Sequence, residues 1–188
     1  MPFPDHFSLI APFYDRWFQS SQPDNLRVIM DLPVHGMVLD AGGGTGRVSQ
    51  LLHGLAVSFV IADACFGMLE QALQKEGLAP VCTYTEKMPF ADDCFERIVM
   101  VDAFHHVQDN RQTASELWRV LKTGGKIVIE EPDIRTFSVK LVALAEKLLL
   151  MHSHFLAAAA IDCLFPYPQA RTSVEQDNHT VWIIIDKV

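Results

Sequence analysis

One stretch of the sequence constrains the fold more than any other: an apolar run at residues 37–39, ending in Asp40 and followed at once by a glycine-rich turn at residues 42–46. Glycine allows positive φ angles and a close approach of the backbone to a ligand. Apolar residues then recur at helical spacing over residues 47–55. A strand, a glycine turn and a helix in this order open a mononucleotide-binding βαβ unit. The sequence therefore predicts an α/β fold with a ligand at this turn.

The spacing of the glycines disfavours two common nucleotide-binding motifs. The dinucleotide fingerprint G-x-G-x-x-G, counted from Gly42 and Gly44, places Arg47 where the third glycine should stand. A phosphate-binding P-loop has a lysine directly after its last glycine, and here Arg47 follows Gly46. A nicotinamide-dependent oxidoreductase is therefore a weak alternative.

The turn matches a third pattern, D-x-G-x-G-x-G, at Asp40, Gly42, Gly44 and Gly46. This pattern resembles the first motif of the class I S-adenosylmethionine-dependent methyltransferases. Several later segments resemble that family's motifs in the same order. The resemblance is strongest to the methyltransferases of ubiquinone and menaquinone biosynthesis, and it implies S-adenosylmethionine as cofactor.

The second predicted strand, residues 57–63, also ends in an acid. Asp63 lies about 20 residues past the glycine turn, where nucleotide-binding units hydrogen-bond a ribose; a helix cap is the alternative interpretation. With the residues that follow it, Asp63 forms a segment, 63–69, that resembles the family's Asp-x-Ser-x-x-Met-Leu, with Cys65 in place of serine. The resemblance places Met68 against the adenine.

The third predicted strand, residues 80–84, leads into a segment that resembles the family's Asp-Ala-Glu-x-Leu-Pro-Phe. Tyr84 stands where the family has the aspartate that meets the adenine amino group, and Thr85 can still offer its backbone amide. The next predicted elements are a strand at 96–101, a helix at 110–121 and a strand at 127–132. We expect glycine capping at residues 122–126 to end the helix.

His105 and His106 follow the fourth strand, at the edge where doubly wound folds bind ligands. A neutral imidazole can take a proton near physiological pH, so both are candidates for a general base, with packing against the cofactor as the alternative. The sequence offers no suitable set of further metal ligands beside them. Glu131 and Asp133 follow the fifth strand, where solvated loop acids are favoured over a role at a substrate mouth.

The two ends of the chain complete the prediction. Aromatic residues at helical spacing near the start favour core packing. The functional alternative is a lid over the cofactor formed by residues 1–25, which their resemblance to the Phe-x-x-x-Ala-x-x-Tyr-Asp helix of small-molecule methyltransferases implies. Residues 134–168 are expected to form the variable helical acceptor region, with helices at 137–154 and 155–164. Strands at 171–175 and 179–188 are expected to close the sheet as a hairpin.

The composition of the chain restricts the classes of partner that it is expected to bind. A chain of 188 residues with 49% hydrophobic residues has the size and apolar content of a single domain, residues 1–188. The net charge of −8, without any Lys/Arg run, argues against nucleic acid and against an anionic membrane, and stable membrane insertion is not expected. Four cysteines without C-x-x-C spacing favour reduced thiols and a cytoplasmic protein. The oligomeric state stays open, a homo-oligomer included.

The motifs predict an α/β fold, and the resemblance implies a Rossmann-like, seven-stranded, mostly parallel sheet with an antiparallel C-terminal strand and helices on both faces. The resemblance implies methyl transfer from S-adenosylmethionine to a small-molecule acceptor by in-line displacement. The alternative is a non-catalytic protein that binds the cofactor and has a reduced acceptor site. The predicted cofactor-binding residues are Tyr14, Asp40, Ala41, Gly42, Gly44, Thr45, Gly46, Asp63, Ala64, Met68, Thr85, Glu86, Asp102 and Phe104, and the predicted catalytic residues are His106 and His105.

Overall fold

A computed structural model describes residues 6–17, 23–133, 155–177 and 180–188. These residues form one sheet of seven strands with helices packed against it. The helices are α1 (His6–Trp17), α2 (Pro23–Ile29), α3 (Arg47–Leu51), α4 (Phe66–Ala72), α5 (Asn110–Val120) and α6 (Ala158–Asp162), with a 3₁₀ turn at Phe104–His106. The strands are β1 (Met37–Ala41), β2 (Ser58–Asp63), β3 (Leu78–Cys82), β4 (Phe95–Val101), β5 (Leu121–Pro132), β6 (Ala170–Asp177) and β7 (Thr180–Lys187).

The strand order is β3-β2-β1-β4-β5-β7-β6. Strands β1 to β5 pair in parallel, and β7 runs antiparallel to both of its neighbours, β5 and β6. The predicted fold class is therefore confirmed. After β3 the chain returns to the other side of β1, so the strand order reverses between β1 and β4. Doubly wound sheets bind ligands outside the carboxyl ends of the strands at such a reversal.

Each face of the sheet carries its own hydrophobic core, because successive strand residues point to opposite faces. Val38 of β1 packs in the cluster formed with α2, α3 and α4. Its neighbour Leu39 packs in the cluster that contains Ala114 and Leu117 of α5. The central strands are covered on both faces, which explains why they are nearly continuous apolar runs in the sequence.

Some predicted boundaries were wrong. Helix α3 ends at Leu51 instead of residue 55, and β3 lies two residues earlier than predicted. Glycine capping does not end α5, since Leu121 already has an extended conformation and pairs with Phe95 of β4. Burial of Leu121 in the core favours this early exit over a glycine cap, and Gly124 adopts its positive φ of 78° further along, within β5.

The elements predicted near the two ends of the chain fall partly within the described residues. The expected helical start contains α1 and the first residues of α2, and residues 18–22 lie outside the described residues. The predicted helix at 137–154 also lies outside them, and only Ala158–Asp162 is helical within 155–164. The closing hairpin is confirmed, with longer strands than expected. Within the described ranges, the structure contains no helix with the length and hydrophobicity needed to span a bilayer.

Candidate functional site

A cavity of about 430 Å³ lies at the carboxyl ends of β1, β2 and β4, where the strand order reverses. Its wall is built from the glycine turn after β1 and from the segments that follow β2, β3 and β4. Tyr14 of α1 completes it. The volume falls in the range of about 300–1,000 Å³ that is typical of small-molecule sites.

The glycine turn brings the backbone against the cavity. Gly42, Gly44 and Gly46 have φ angles of 69°, 53° and 70°, which side chains with a Cβ rarely adopt. A Cβ on Gly42 would lie 2.7 Å from the Cβ of Ala103, so the turn and the segment after β4 meet closely only because Gly42 lacks a side chain. A Cβ on Gly46 would instead meet Leu78, on the side of the turn that packs against β3.

Asp40 is a buried carboxyl at the border of the cavity, with 1% of its surface exposed. The hydroxyl of Ser49 donates a hydrogen bond of 2.7 Å to its Oδ2 atom. Burial raises the pKa of Asp40 from its ordinary 3.8 to about 6, against the opposing effects of Ser49 and Arg47. Asp40 therefore ties β1 to α3 and is costly to ionise.

Asp63 joins the second strand to the glycine turn. Its Oδ2 atom accepts a hydrogen bond of 2.9 Å from the Gly44 amide, and its Oδ1 atom accepts one of 2.7 Å from the Cys65 amide. An ionised carboxylate has about four acceptor positions, and these two bonds use two of them. The carboxylate is thus fixed in place at the wall of the cavity.

Arg47 lines the cavity. In the sequence it was noted only as the residue that stands where the dinucleotide fingerprint requires its third glycine. Its Nη2 atom donates to Oδ2 of Asp102 over 3.1 Å, and its side chain is 12% exposed. Within the described part of the chain, the buried side-chain atoms that lack a hydrogen-bond partner are Nη1 of Arg47 and Oε1 of Gln50. Asp102 has a φ angle of 51°, an uncommon left-handed conformation at the end of β4.

The two histidines occupy different environments. His106 lines the cavity, and burial together with the neighbouring His105 lowers the pKa of His106 to about 3. His106 is therefore uncharged near neutral pH. His105 lies behind it, with 4.1 Å between ring centroids, and its Nδ1 atom lies 2.6 Å from Oε2 of Glu131. The other oxygen of Glu131 accepts the Phe104 amide at 2.8 Å.

The interpretation of Glu131 and Asp133 as solvated loop acids was wrong. Their exposed fractions are 3% and 7%. Glu131 is buried because β5 continues to Pro132 and pairs with β7 up to that residue. A buried carboxylate requires hydrogen-bond donors, and the Phe104 amide and the His105 ring supply them for Glu131.

The segments that follow β2 and β3 supply both apolar and polar residues to the cavity wall. Met68 of α4 and Thr85 border it, and both are buried. Tyr84 also borders it while 61% of the residue is exposed. Oε1 of Glu86 accepts the amide of Gln108 at 2.8 Å, so Glu86 holds together the segments that follow β3 and β4.

Helix α1 is attached to the glycine turn by one carboxylate. Asp15 accepts hydrogen bonds from the Thr45 hydroxyl and from the Lys75 ammonium group. Lys75 also donates to the Thr45 carbonyl over 2.8 Å. These contacts fix α1 beside the cavity, to which it contributes Tyr14. Burial raises the pKa of Tyr14, and the nearby Arg47 partly offsets this.

The cavity brings together most of the predicted site residues, namely Tyr14, Asp40, Gly42, Gly44, Asp63, Ala64, Met68, Thr85, Glu86, Asp102 and His106. Of the other predicted residues, all within the described ranges, Ala41, Thr45, Gly46, Phe104 and His105 lie outside its wall. Phe104 is a core residue, 1% exposed, and Thr45 faces Asp15. Sequence reasoning missed Arg47, Val48, Cys65, Thr83, Met100, Val101, Ala103, Val107 and Gln108 as wall residues. For Arg47 a signal existed, since a cation follows the last glycine of the turn.

Comparison with known proteins agrees with this geometry. Residues 39–129 match the sequence model of a family described as the methyltransferase domain. The ubiquinone/menaquinone biosynthesis C-methyltransferase of Desulfotalea psychrophila is 33% identical over 101 residues, which cover 51% of this chain and 41% of that protein. The demethylmenaquinone methyltransferase of Clavibacter sepedonicus is 36% identical over 104 residues, covering 53% and 42%. The match therefore spans less than half the length of either relative.

Solved structures share the fold at low sequence identity. The geranyl diphosphate C-methyltransferase of Streptomyces coelicolor A3(2), solved with Mg²⁺, geranyl diphosphate and S-adenosyl-L-homocysteine, superposes with a TM-score of 0.75 at 14% identity, over 100% of this chain and 86% of that one. This similarity concerns the arrangement of strands and helices.

Proposed function

We propose that this chain is a class I S-adenosylmethionine-dependent methyltransferase that transfers a methyl group from S-adenosylmethionine to a small organic acceptor, and the match of residues 39–129 to the methyltransferase domain supports this. The observation that carries the proposal is the cavity at the strand reversal, with Asp63 fixed in its wall by the amides of Gly44 and Cys65. A diol-binding acid at this position is what a nucleoside ligand requires.

The residues of the cavity fit this cofactor. We expect Asp63 to accept hydrogen bonds from the ribose hydroxyl groups, and Met68, Thr85 and Glu86 to surround the adenine. The backbone from Gly42 to Gly46 would lie along the methionine part. When bound, the cofactor supplies a methyl group that the sulfonium charge has already activated.

The protein's own task is then to orient the acceptor and exclude water. Positioning two reactants in this way can lower a barrier by roughly 7–11 kcal/mol, which explains how such a site works without a strong nucleophile. Helix α1 is proposed as the lid, because Asp15 fixes it beside the cavity. We propose that residues 1–188 form a single domain. Within it, residues 134–168 are proposed to build the acceptor side of the site. Residues 134–154 of that region lie outside the described residues.

The two candidate bases differ in position and in environment, because His106 lines the cavity and His105 lies behind it. A carboxylate stabilises a protonated imidazole, and Glu131 lies 2.6 Å from His105. His106 has a pKa of about 3, so it holds a proton poorly near neutral pH. Its uncharged ring is suited to a wall that faces a cationic cofactor, because a protonated ring there would repel the sulfonium.

We propose the class of acceptor from the names of two relatives. Two of them are named for ubiquinone/menaquinone biosynthesis and for demethylmenaquinone. An aromatic quinol is therefore the first acceptor to test, with carbon as the methylated atom. The net charge of −8 is unfavourable for nucleic acid, in agreement with a small-molecule substrate.

The proposal is tested by incubating the chain with methyl-labelled S-adenosylmethionine and a panel of quinols, phenols and small amines. We expect label in an organic product, formation of S-adenosylhomocysteine in equal amount, and loss of both in an Asp63→Ala variant. Cofactor binding without transfer to any member of the panel would contradict the proposed reaction and favour a binding protein.

A further inference from the structure

An irregular segment joins β3 to β4, and two side chains of α5 hold its backbone. The segment comprises residues 83–94, all of them described, and it contains no helix or strand. Oε2 of Glu116 accepts the amide of Met88 over 2.9 Å. Arg119 donates to the carbonyls of Met88 and Phe90 over 3.2 and 2.8 Å. Side chains therefore satisfy backbone groups that a helix or a sheet would otherwise satisfy.

The same two side chains also bind each other. Nε and Nη2 of Arg119 donate to Oε1 and Oε2 of Glu116 over 2.7 and 2.9 Å, a bidentate geometry that makes such pairs strong and directional. These hydrogen bonds lower the pKa of Glu116, so its carboxylate is charged at neutral pH. Arg119 also donates to Asp92 over 2.7 Å. Glu116 and Arg119, which we name the α5 pair, thus hold the segment over residues 88–92.

The other end of this segment forms part of the cavity wall. Residues 83–86 line the cavity, and the two members of the α5 pair, both of them described residues, lie outside its wall. Contacts with α5 and with the segment before it also fix the lining residues. The hydroxyl of Thr85 lies 3.3 Å from that of Thr113 on α5, and Glu86 accepts the amide of Gln108. The position of this part of the wall therefore depends on α5.

We propose that the α5 pair acts from outside the cavity as the positioning element for the base of the cofactor, so that Thr85 and Glu86 distinguish adenine from other purines. This inference rests on the proposed function, which places the base against these two residues. A wall of hydrogen-bonding groups discriminates between ligands only when the groups are held in place. A loosely held segment can turn to match a different pattern of donors and acceptors, so loss of the α5 pair should reduce selectivity for the base.

The test uses S-adenosylhomocysteine and S-inosylhomocysteine, which share the ribose and the amino-acid tail and differ in the base. Hypoxanthine has a carbonyl oxygen in place of the amino group of adenine and an N–H in place of an acceptor nitrogen, so its hydrogen-bonding edge is reversed. Calorimetric titration of the full chain with each ligand gives the ratio of their affinities. We expect the wild-type chain to prefer S-adenosylhomocysteine by about tenfold or more, because the reversed edge leaves polar groups of the wall unpaired.

Three variants weaken the α5 pair to different degrees. Arg119→Gln should reduce the preference by about threefold or more, mainly through weaker binding of S-adenosylhomocysteine. Arg119→Lys keeps the charge without the planar fork that bridges Glu116 and the two carbonyls, so it should give an intermediate ratio. Glu116→Gln removes the charged partner of Arg119 and should also lower the ratio. Faster amide hydrogen exchange across residues 84–88 should accompany the change in Arg119→Gln.

Arg97→Gln is the matched control. Arg97 lies outside the cavity wall and donates over 2.6 Å to the carbonyl of Met30, the residue after α2. Its loss should lower the stability of the chain and leave the ratio unchanged.

An unchanged ratio in Arg119→Gln overturns the inference, whether both ligands bind more weakly or neither does, and it leaves the proposed function standing. A wild-type chain that binds both ligands equally has the same meaning. Should Arg119→Gln fail to fold, Arg119→Lys decides by the same criterion. A wild-type chain that binds neither ligand overturns the proposed function as well.

Discussion

Replacing Asp40 by asparagine should change how the stability of the chain depends on pH. Burial raises the pKa of Asp40 from 3.8 to about 6, so the folded state holds this proton more tightly than the unfolded state does. The stabilisation associated with the protonated carboxyl is complete below pH 3.8 and is lost as the pH rises through 6. At 1.36 kcal/mol per pKa unit, the full loss is about 3 kcal/mol, of which about 1.4 kcal/mol falls between pH 5 and pH 8.

An asparagine at position 40 cannot ionise, so the variant should not undergo this loss. Its amide oxygen can still accept the hydrogen bond from Ser49. We expect Asp40→Asn to gain about 1.4 kcal/mol relative to the wild type between pH 5 and pH 8, added to a constant offset from the altered hydrogen bonds.

The measurement is urea unfolding of both chains across this pH range, with reversibility checked at each pH. Asp24→Asn, which changes an exposed carboxyl on α2, is the matched control, and its difference from wild type should be flat. A constant difference between Asp40→Asn and wild type from pH 5 to pH 8 would refute the argument that burial governs this carboxyl.

Two further predictions concern the walls of the cavity. Gly42→Ala should abolish detectable cofactor binding by calorimetry, because the new Cβ would lie 2.7 Å from that of Ala103. Gly44→Ala, with its nearest neighbour at 3.9 Å, should bind measurably, and equal affinities of the two variants would contradict this. Glu131→Gln should destabilise the chain to urea by about 1–3 kcal/mol and lower turnover, because a buried carboxylate next to an imidazole is lost. The Glu130→Gln control, buried on the same strand, should lower stability without a specific loss of turnover, and equal turnover losses would refute the role of Glu131.

The parts of the fold that could be predicted are those fixed by local patterns. The apolar strand before Asp40, the glycine turn and the acid at Asp63 are close in sequence, and the carboxyl ends of parallel strands meet at one edge of a sheet. The sequence therefore predicted the seven-stranded fold and a site at that edge. Boundaries such as the end of α5 were harder, since the pairing of Leu121 with Phe95 depends on strands distant in sequence.

The parts that could not be predicted depend on contacts across the sheet. Glu131 is an acid near a strand end, and only its pairing opposite Val181 of β7 shows that it is buried. In the sequence, Arg47 only occupies the position where the dinucleotide motif requires a glycine. In the structure it donates a hydrogen bond to Asp102, which lies 55 positions later in the chain. Phe104 was placed in the site by its neighbours in sequence, and the alternation of side chains around the 3₁₀ turn directs it into the core instead.

The central claim is that the cavity holds S-adenosylmethionine, and calorimetric titration of the chain with S-adenosylmethionine and S-adenosylhomocysteine tests it most directly. The account predicts binding of both ligands in the micromolar range, about −8 kcal/mol, and weakening by about tenfold or more, or about 1.4 kcal/mol, in an Asp63→Ala variant. Absence of binding to the wild-type chain would contradict the claim, and so would an Asp63→Ala variant that binds both ligands with undiminished affinity.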